Sequence, residues 1–442
     1  MPFGFSGGIH PEESKDMTRG KPIETISAPE KVVLPVIMHI GEACAPIVKE
    51  GDTVDMGQMV AYSDAEISAP VHSPVSGKVQ KIEDALYPSG SKVLSITIKN
   101  DFEDRLHSSI VRKKYSAMSQ EEIIEHIRNA GIVGHGGATF PTHVKIRSAL
   151  NKVDTVIINA AECEPYLTCD HRLLLERPGE VLRGIRILLK ALNLKKAVIA
   201  VEANKEDAVK VLKEKIGEKK DIEICVLNTR FPQGAEKQLI YALTKREVPK
   251  GKLPVDAACV VFNVDTAAAV CRAFEIGIPD IIKTITVSGS AIANPKNLMV
   301  RIGTPVSDLI EAAGGFKQEP NRIIMGGPMM GVGQSSLDVP VIKATNGILA
   351  FCEKEDKISK NPTCIRCGRC VSVCPMGLMP IYMYMYQQKG MLDECRDMDV
   401  ESCIECGCCA YECPGRLFLV QSFRTAKQLI SEARLREAQR QN

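Results

Sequence analysis

Towards its C-terminal end the chain carries one cysteine pattern twice. Cys364, Cys367, Cys370 and Cys374-Pro375 follow C-x2-C-x2-C-x3-C-P, and Cys403, Cys406, Cys409 and Cys413-Pro414 repeat it. Three thiolates at that spacing wrap one side of an iron-sulfur cube, while the fourth, set further along and redirected by proline, reaches the other cube. The ligands therefore cross over. Cys364, Cys367, Cys370 and Cys413 are assigned to one 4Fe-4S cluster, and Cys403, Cys406, Cys409 and Cys374 to a second. Structural zinc sites also use paired C-x2-C knuckles, but zinc takes four ligands per site and seldom uses three thiolates this tightly spaced before an x3-C-P arm. Cys408 breaks the repeat and reads as a non-ligand, and Cys352 and Cys395 read as small buried apolar residues. The intervening LMPIYMYMYQQ reads as core beneath the clusters. Two one-electron carriers make a relay, and a relay needs a source and a sink elsewhere.

The rest of the composition narrows what those can be. Lys and Arg number 56 against 54 Asp and Glu, a net charge of +2, so no long-range attraction for nucleic acid is expected. No window offers the ~18–20 apolar residues that span a bilayer as a helix, and the N-terminus lacks the pattern of a secretory signal. A soluble chain is expected, with its 17 cysteines serving as metal ligands more than as disulfides. A length of 442 residues asks for about three domains.

The pattern divides into five segments. Residues 1–28 form an N-terminal extension. Residues 29–100 read as short strands broken by Gly, Pro and Asp (KVVLPVIMHI, EGD, KVLSITIKN), a barrel-sandwich unit similar to biotinyl and lipoyl carrier domains. A carrier needs a lysine at its turn, and residues 62–69 contain none, so a non-carrying barrel is expected. Residues 101–270 alternate helices and strands, the signature of a mostly parallel α/β sheet, opening with a helix capped by Ser119 and Glu122. Residues 271–345 hold a compact β-grasp, SLBB-like unit, and 346–442 the α-helical, ferredoxin-like double-cluster domain. A helix over 418–439 ends the chain. Arg416, Arg424, Lys427, Arg434, Arg436 and Arg440 give it a basic face that suits an acidic partner, a lipid surface or plain solvent. The expected fold class is thus multidomain α/β plus β.

A glycine-rich loop, Gly134-His135-Gly136-Gly137-Ala138-Thr139-Phe140-Pro141, follows the first helix, and Lys145 lies just beyond it. Glycines let a backbone approach a flat ring or a phosphate, and a lysine can neutralise the phosphate. Alone the loop is equally a structural turn, and it is no dinucleotide fingerprint, because a helix precedes it. It gains meaning from two polar strand ends, Asn159-Ala160-Ala161-Glu162-Cys163-Glu164-Pro165 and Asn263-Val264-Asp265-Thr266, placed where open α/β sheets bind ligands. His135 reads as a solvent-facing loop histidine and His143 as structural. Cys163 leaves open an activated thiol.

GHGGATFPTHVK, NAAECEP and FNVDT resemble the flavin and NADH site of the flavoprotein subunit of respiratory complex I. The whole chain, from FSGGIHPEESK to the double cluster motif, is similar to the C subunits of Rnf complexes, which are membrane-bound ferredoxin:NAD oxidoreductases. The resemblance implies FMN held by Gly134, Gly136, Gly137, Ala138, Lys145, Asn159 and Asn263. NAD(H) would be laid over it near Phe140, Glu162 and Glu164, with Glu236 a further contact. Two departures stand out: Ala161 replaces an aspartate, and Gly234-Ala235-Glu236 replaces Gly-Glu-Glu. The resemblance also implies other Rnf subunits as partners, ferredoxin as an indirect one, and a peripheral place on the cytoplasmic face of the membrane.

Chemically the parts fit together. Hydride transfer moves two electrons and each cluster takes one, so a flavin is the adaptor they require. No catalytic acid or base is demanded. Two alternatives use the same parts: a soluble flavin and iron-sulfur electron carrier such as a corrin reductase, or a cluster-bearing scaffold with an empty crevice. Domain order, with a barrel in front and both cluster motifs behind the β-grasp unit, argues against the corrin reductase.

Overall fold

The computed structural model describes residues 4–353 and 361–441, with side chains up to Glu437. Four units succeed one another, and the N-terminal extension ties them together.

The barrel is two small sheets closed on one apolar core. One holds Lys31–Pro35, Lys92–Asn100, Gly77–Leu86 and Thr53–Val54, and the other holds Ala45–Pro46, Met59–Tyr62 and Val71–His72. Val32, Leu34, Val60, Val79, Ile96 and Ile98 alternate inward to fill it.

In the α/β unit four parallel strands lie in the order Ile222–Leu227, Ala197–Glu202, Thr155–Ala160 and Cys259–Asn263. Successive residues of Thr155–Ala160 point to opposite faces. Val156, Ile158 and Ala160 meet the helices Gln120–Asn129, Pro178–Leu192, Glu206–Ile216 and Val264–Glu275, while Ile157 meets Glu236–Thr244. The first helix has the expected capping box between Ser119 and Glu122. Pro178 opens the long helix, and Asn193, left-handed at φ +54°, ends it.

The β-grasp sheet is wider than the 271–345 segment. Its six strands run Ile23–Thr25, Lys296–Arg301, Ile282–Ser288, Gly347–Phe351, Arg322–Met325 and Val332–Gln334, with helix Val306–Ala312 on its core. It thus takes one edge strand from the N-terminal extension and an inner strand from beyond residue 345.

The last unit is helical. Arg369–Ser372 and Cys408–Tyr411 each follow a cysteine loop, and Pro380–Gln388, Leu392–Asp397 and Leu419–Gln441 surround them. Of the Met- and Tyr-rich helix only Pro380 and Met383 are buried, while Tyr382 and Met385 face outward. The basic side of the final helix is largely paired: Arg424 and Lys427 close on Glu405, Arg434 on Glu401 and Arg436 on Glu432. The side chain of Arg440 lies outside the described residues.

Candidate redox site

The sheet reverses its direction of growth at Thr155–Ala160, which has later strands on both sides. Such a switch point opens a crevice at the strands' carboxyl ends. Asn159 and Asn263 end the two strands that flank it and are direct register partners. Asn159 donates to Gly234 O at 2.9 Å and accepts from the Ala161 amide at 3.1 Å. Asn263 caps the helix Val264–Glu275 by accepting from the Asp265 amide at 2.8 Å, and donates to Asp170 at 2.7 Å.

The glycine loop approaches Asn263 of this pair. Gly134 and Phe140 close it through a backbone hydrogen bond of 2.9 Å, and a side chain at Gly136 would point at Asn263. Gly137, at φ +106°, has nothing within 4 Å of where a Cβ would stand, so this stretch with Ala138 presents its backbone to open space. Lys145, on helix Thr142–Ala149, donates to Glu236 at 3.1 Å and to Val261 O at 3.0 Å. Open amides, a partly exposed lysine and two carboxamides are a donor set that suits a flat ring bearing a phosphate.

His135 is not solvent-facing. Its side chain is fully buried, with Nδ1 at 2.8 Å from Asp265 and Nε2 at 3.1 Å from Asp280. Burial opposes its charge, yet Asp280 and Asp265 outweigh that and raise its pKa above the ordinary histidine value. The His135 amide also donates to Thr266 at 2.9 Å, and Lys283 reaches the His135 carbonyl. Asp265 and Thr266, expected to line the crevice, thus pin the glycine loop from below. Nothing in a loop of glycines shows that its one imidazole turns inward to carboxylates 130 and 145 positions away. His143, read as structural, is buried, and burial, helped by Arg128 and Arg147, lowers it to about 4.

The acidic residues on the far wall are held by amides. Glu162 accepts from the Asp170 and His171 amides at 2.7 and 3.2 Å, and Glu164 from those of Met329 and Met330 at 3.0 and 2.9 Å. Burial, helped by Glu162, raises Asp170 to about 7. Burial likewise lifts Cys163 to about 12, so it is a neutral thiol that accepts from the Gly234 amide, not an activated one. Sequence reasoning missed Lys15. This buried lysine of the extension donates to Glu162 O and Leu167 O at 2.7 and 2.6 Å.

The thiols fall into two groups. The electrostatic neighbours of Cys370 are Cys413, Cys364 and Cys367, and those of Cys409 are chiefly Cys403, Cys406 and Cys374. Cys374, Cys403, Cys406 and Cys409 also line one cleft. Backbone amides already point at sulfur: Arg366 N at Cys364, Glu405 N at Cys403 and Leu378 N at Cys374, at 3.3–3.4 Å. Burial pushes Cys403 up to about 11, so a bound metal must displace the proton. Four sulfurs per group, with amide donors aimed at them, fit an iron-sulfur cube. Cys408 instead points at Phe231 O, and Cys352 and Cys395 are buried in apolar clusters.

Comparison with known proteins agrees with this layout. Residues 3–103 match the RnfC barrel sandwich hybrid domain, 127–272 the Nuo51 FMN-binding domain, 284–333 the SLBB domain and 356–414 a 4Fe-4S dicluster domain. The corresponding subunit of the Na+-translocating ferredoxin:NAD+ oxidoreductase complex of Acetobacterium woodii is 46% identical over 96% of this chain and 97% of its own length. The chain belongs to the RnfC family. Its relative in the proton-translocating ferredoxin:NAD+ oxidoreductase complex of Clostridium ljungdahlii is 46% identical over 89% of this chain and 86% of that protein. Its relative in the ion-translocating oxidoreductase complex of Rhodobacter capsulatus is 44% identical over 99% and 85%. Among solved structures, the H2-reduced NAD+-reducing NiFe hydrogenase shares the fold at a TM-score of 0.50 and 19% identity, over 67% of this chain and 60% of that one. FMN and two 4Fe-4S clusters are the cofactors of an RnfC chain with these domains. No helix among the described residues is long and apolar enough to cross a membrane.

Proposed function

We propose that the chain is the NADH- and FMN-binding, iron-sulfur subunit of an ion-translocating ferredoxin:NAD oxidoreductase, held peripherally on the cytoplasmic face of the membrane by other subunits. Bound FMN supplies the conversion between hydride transfer and single-electron transfer. Gly134, Gly136, Gly137 and Ala138 would offer it backbone, Lys145 would neutralise its phosphate, and Asn159 and Asn263 would hold it by their carboxamides. Phe140, Glu162, Glu164 and Glu236 would meet NAD(H). Glu162 and Glu164, engaged by backbone amides, keep that wall fixed. Cys364, Cys367, Cys370 and Cys413 hold one cluster, and Cys374, Cys403, Cys406 and Cys409 the other. Ferredoxin's electrons reach these sites through partner subunits.

The observation that carries this reading is the pairing of Asn159 with Asn263 at the switch point, beside an open glycine loop that is followed by Lys145. Anaerobically purified chain should contain about eight iron atoms and one FMN. Lys145→Ala should weaken FMN retention roughly 10- to 100-fold, the equivalent of ~1.5–3 kcal/mol for a hydrogen bond to a charged group. Zinc in place of iron, or unchanged flavin retention and NADH oxidation in that variant, would defeat the reading.

A further inference from the structure

The two cysteine loops share a backbone but not their surroundings. Arg366 and Glu405 occupy equivalent places at φ +56° and +55°, as do Gly368 and Gly407 at +74° and +80°. A Cβ on Gly368 would have nothing within 4 Å, whereas one on Gly407 would stand 2.9 Å from Met329 O of the β-grasp unit. Cys367 is exposed and its neighbour Ile365 is 65% exposed, while Cys406 and Cys409 are buried.

What buries the second loop leads back to the crevice. Cys406 and Cys408 share an apolar cluster with Ile9 and Phe231, and Cys163 and Met329 pack against it. Cys163 accepts from the amide of Gly234, whose carbonyl accepts from Asn159. Cys374 sits in the first repeat but belongs to this side. Gly7 of the extension lies against its carbonyl, and Gln238 donates to Pro375 O at 3.1 Å and contacts Met376 Sδ at 3.2 Å. Gln238 stands two residues beyond Glu236, the partner of Lys145. Two short runs of contacts and chain neighbours therefore join the crevice to the second thiol set.

We infer that the site formed by Cys374, Cys403, Cys406 and Cys409 is the inner one, adjoining the flavin crevice. The site formed by Cys364, Cys367, Cys370 and Cys413 is the outer one and meets a one-electron protein carrier. Each electron passed between them oxidises one cluster and reduces the other, with no bond made or broken. The inference rests on the cofactor reading above.

The test uses the whole chain, prepared without oxygen and reduced by titration, with the two cluster signals followed by electron paramagnetic resonance. Cys367→Ser and Cys406→Ser assign the signals, by altering or by abolishing one each. A soluble dysprosium chelate should then raise the saturation power of the signal tied to Cys367 and leave the other unchanged. Ile365→Lys, at an exposed position beside Cys364, needs no ligand change. Its added charge should raise the midpoint potential of the dysprosium-sensitive signal alone, since local charge and exposure set cluster potentials. Equal responses, or a response of the Cys406 signal, overturn the order while leaving the cofactors in place. A preparation without iron overturns both.

Discussion

Glu164 takes two backbone amides of the β-grasp unit while nearly enclosed, and burial pushes it from 4.5 to about 7 against the pull of those amides. A carboxyl raised in the folded state keeps its proton after the unfolded chain has lost its own. The native state then binds more protons, and stability falls as pH rises from about 4.5 to about 7. Glu164→Gln should remove that slope. Melting midpoints measured from pH 5 to 8 should show the variant gaining on the natural chain as pH rises, even if one lost amide partner lowers it throughout. Parallel profiles would show that Glu164 does not titrate in this window. Asp170 contributes a similar slope to both chains, so the difference isolates Glu164. At this scale the reading of His135 as solvent-facing fails, since its ring is buried between two carboxylates. Residue type shows that an imidazole can be charged, whereas its partners Asp265 and Asp280 are a matter of tertiary contact.

Helices Pro178–Leu192 and Val264–Glu275 cross closely because Gly184 has no side chain. A Cβ there would fall on the Ala267 carbonyl, which is backbone and cannot swing aside. Alanine is favoured over glycine within a helix by ~1 kcal/mol. Overpacking a tight contact costs ~1–3 kcal/mol, and here the obstacle is rigid, so strain wins. Gly184→Ala should lower the melting temperature and the denaturation midpoint, and an increase in either would contradict this crossing. The same unit was the most legible part of the chain. Its capping box, its opening proline and its apolar strands are local signals, and each falls where the periodicity put it. In the barrel, KVVLPVIMHI reads as one strand, but only Lys31–Pro35 is extended in the sheet. The Val36 amide still donates to Leu94 O at 3.0 Å, and the chain turns away beyond it.

Across the whole molecule, the order of barrel, α/β, β-grasp and cluster units was readable because each has its own periodicity or ligand spacing. The role of the extension was not, since it works through contacts with distant partners. The Gly8 amide donates to Val373 O at 2.8 Å, Ile9 pairs with Phe231, Lys15 ties down the Glu162 segment, and Ile23–Thr25 adds a parallel strand to Lys296–Arg301. Three-residue strands and lone backbone bonds leave no periodic trace. They do leave a consequence. Gly7, Gly8 and Ile9 cover the side of the cluster unit that holds Cys374 and Cys406, so a chain beginning at Lys21 keeps its edge strand and loses that cover. Such a truncation should retain the barrel and both sheets, seen as preserved secondary structure. It should surrender about half its iron, one cube of two, to an anaerobic chelator well before the full chain does. The signal that disappears should be the one assigned through Cys406. Iron release at the full-length rate, or loss from the Cys367 side first, would mean that the extension does not shield the inner site.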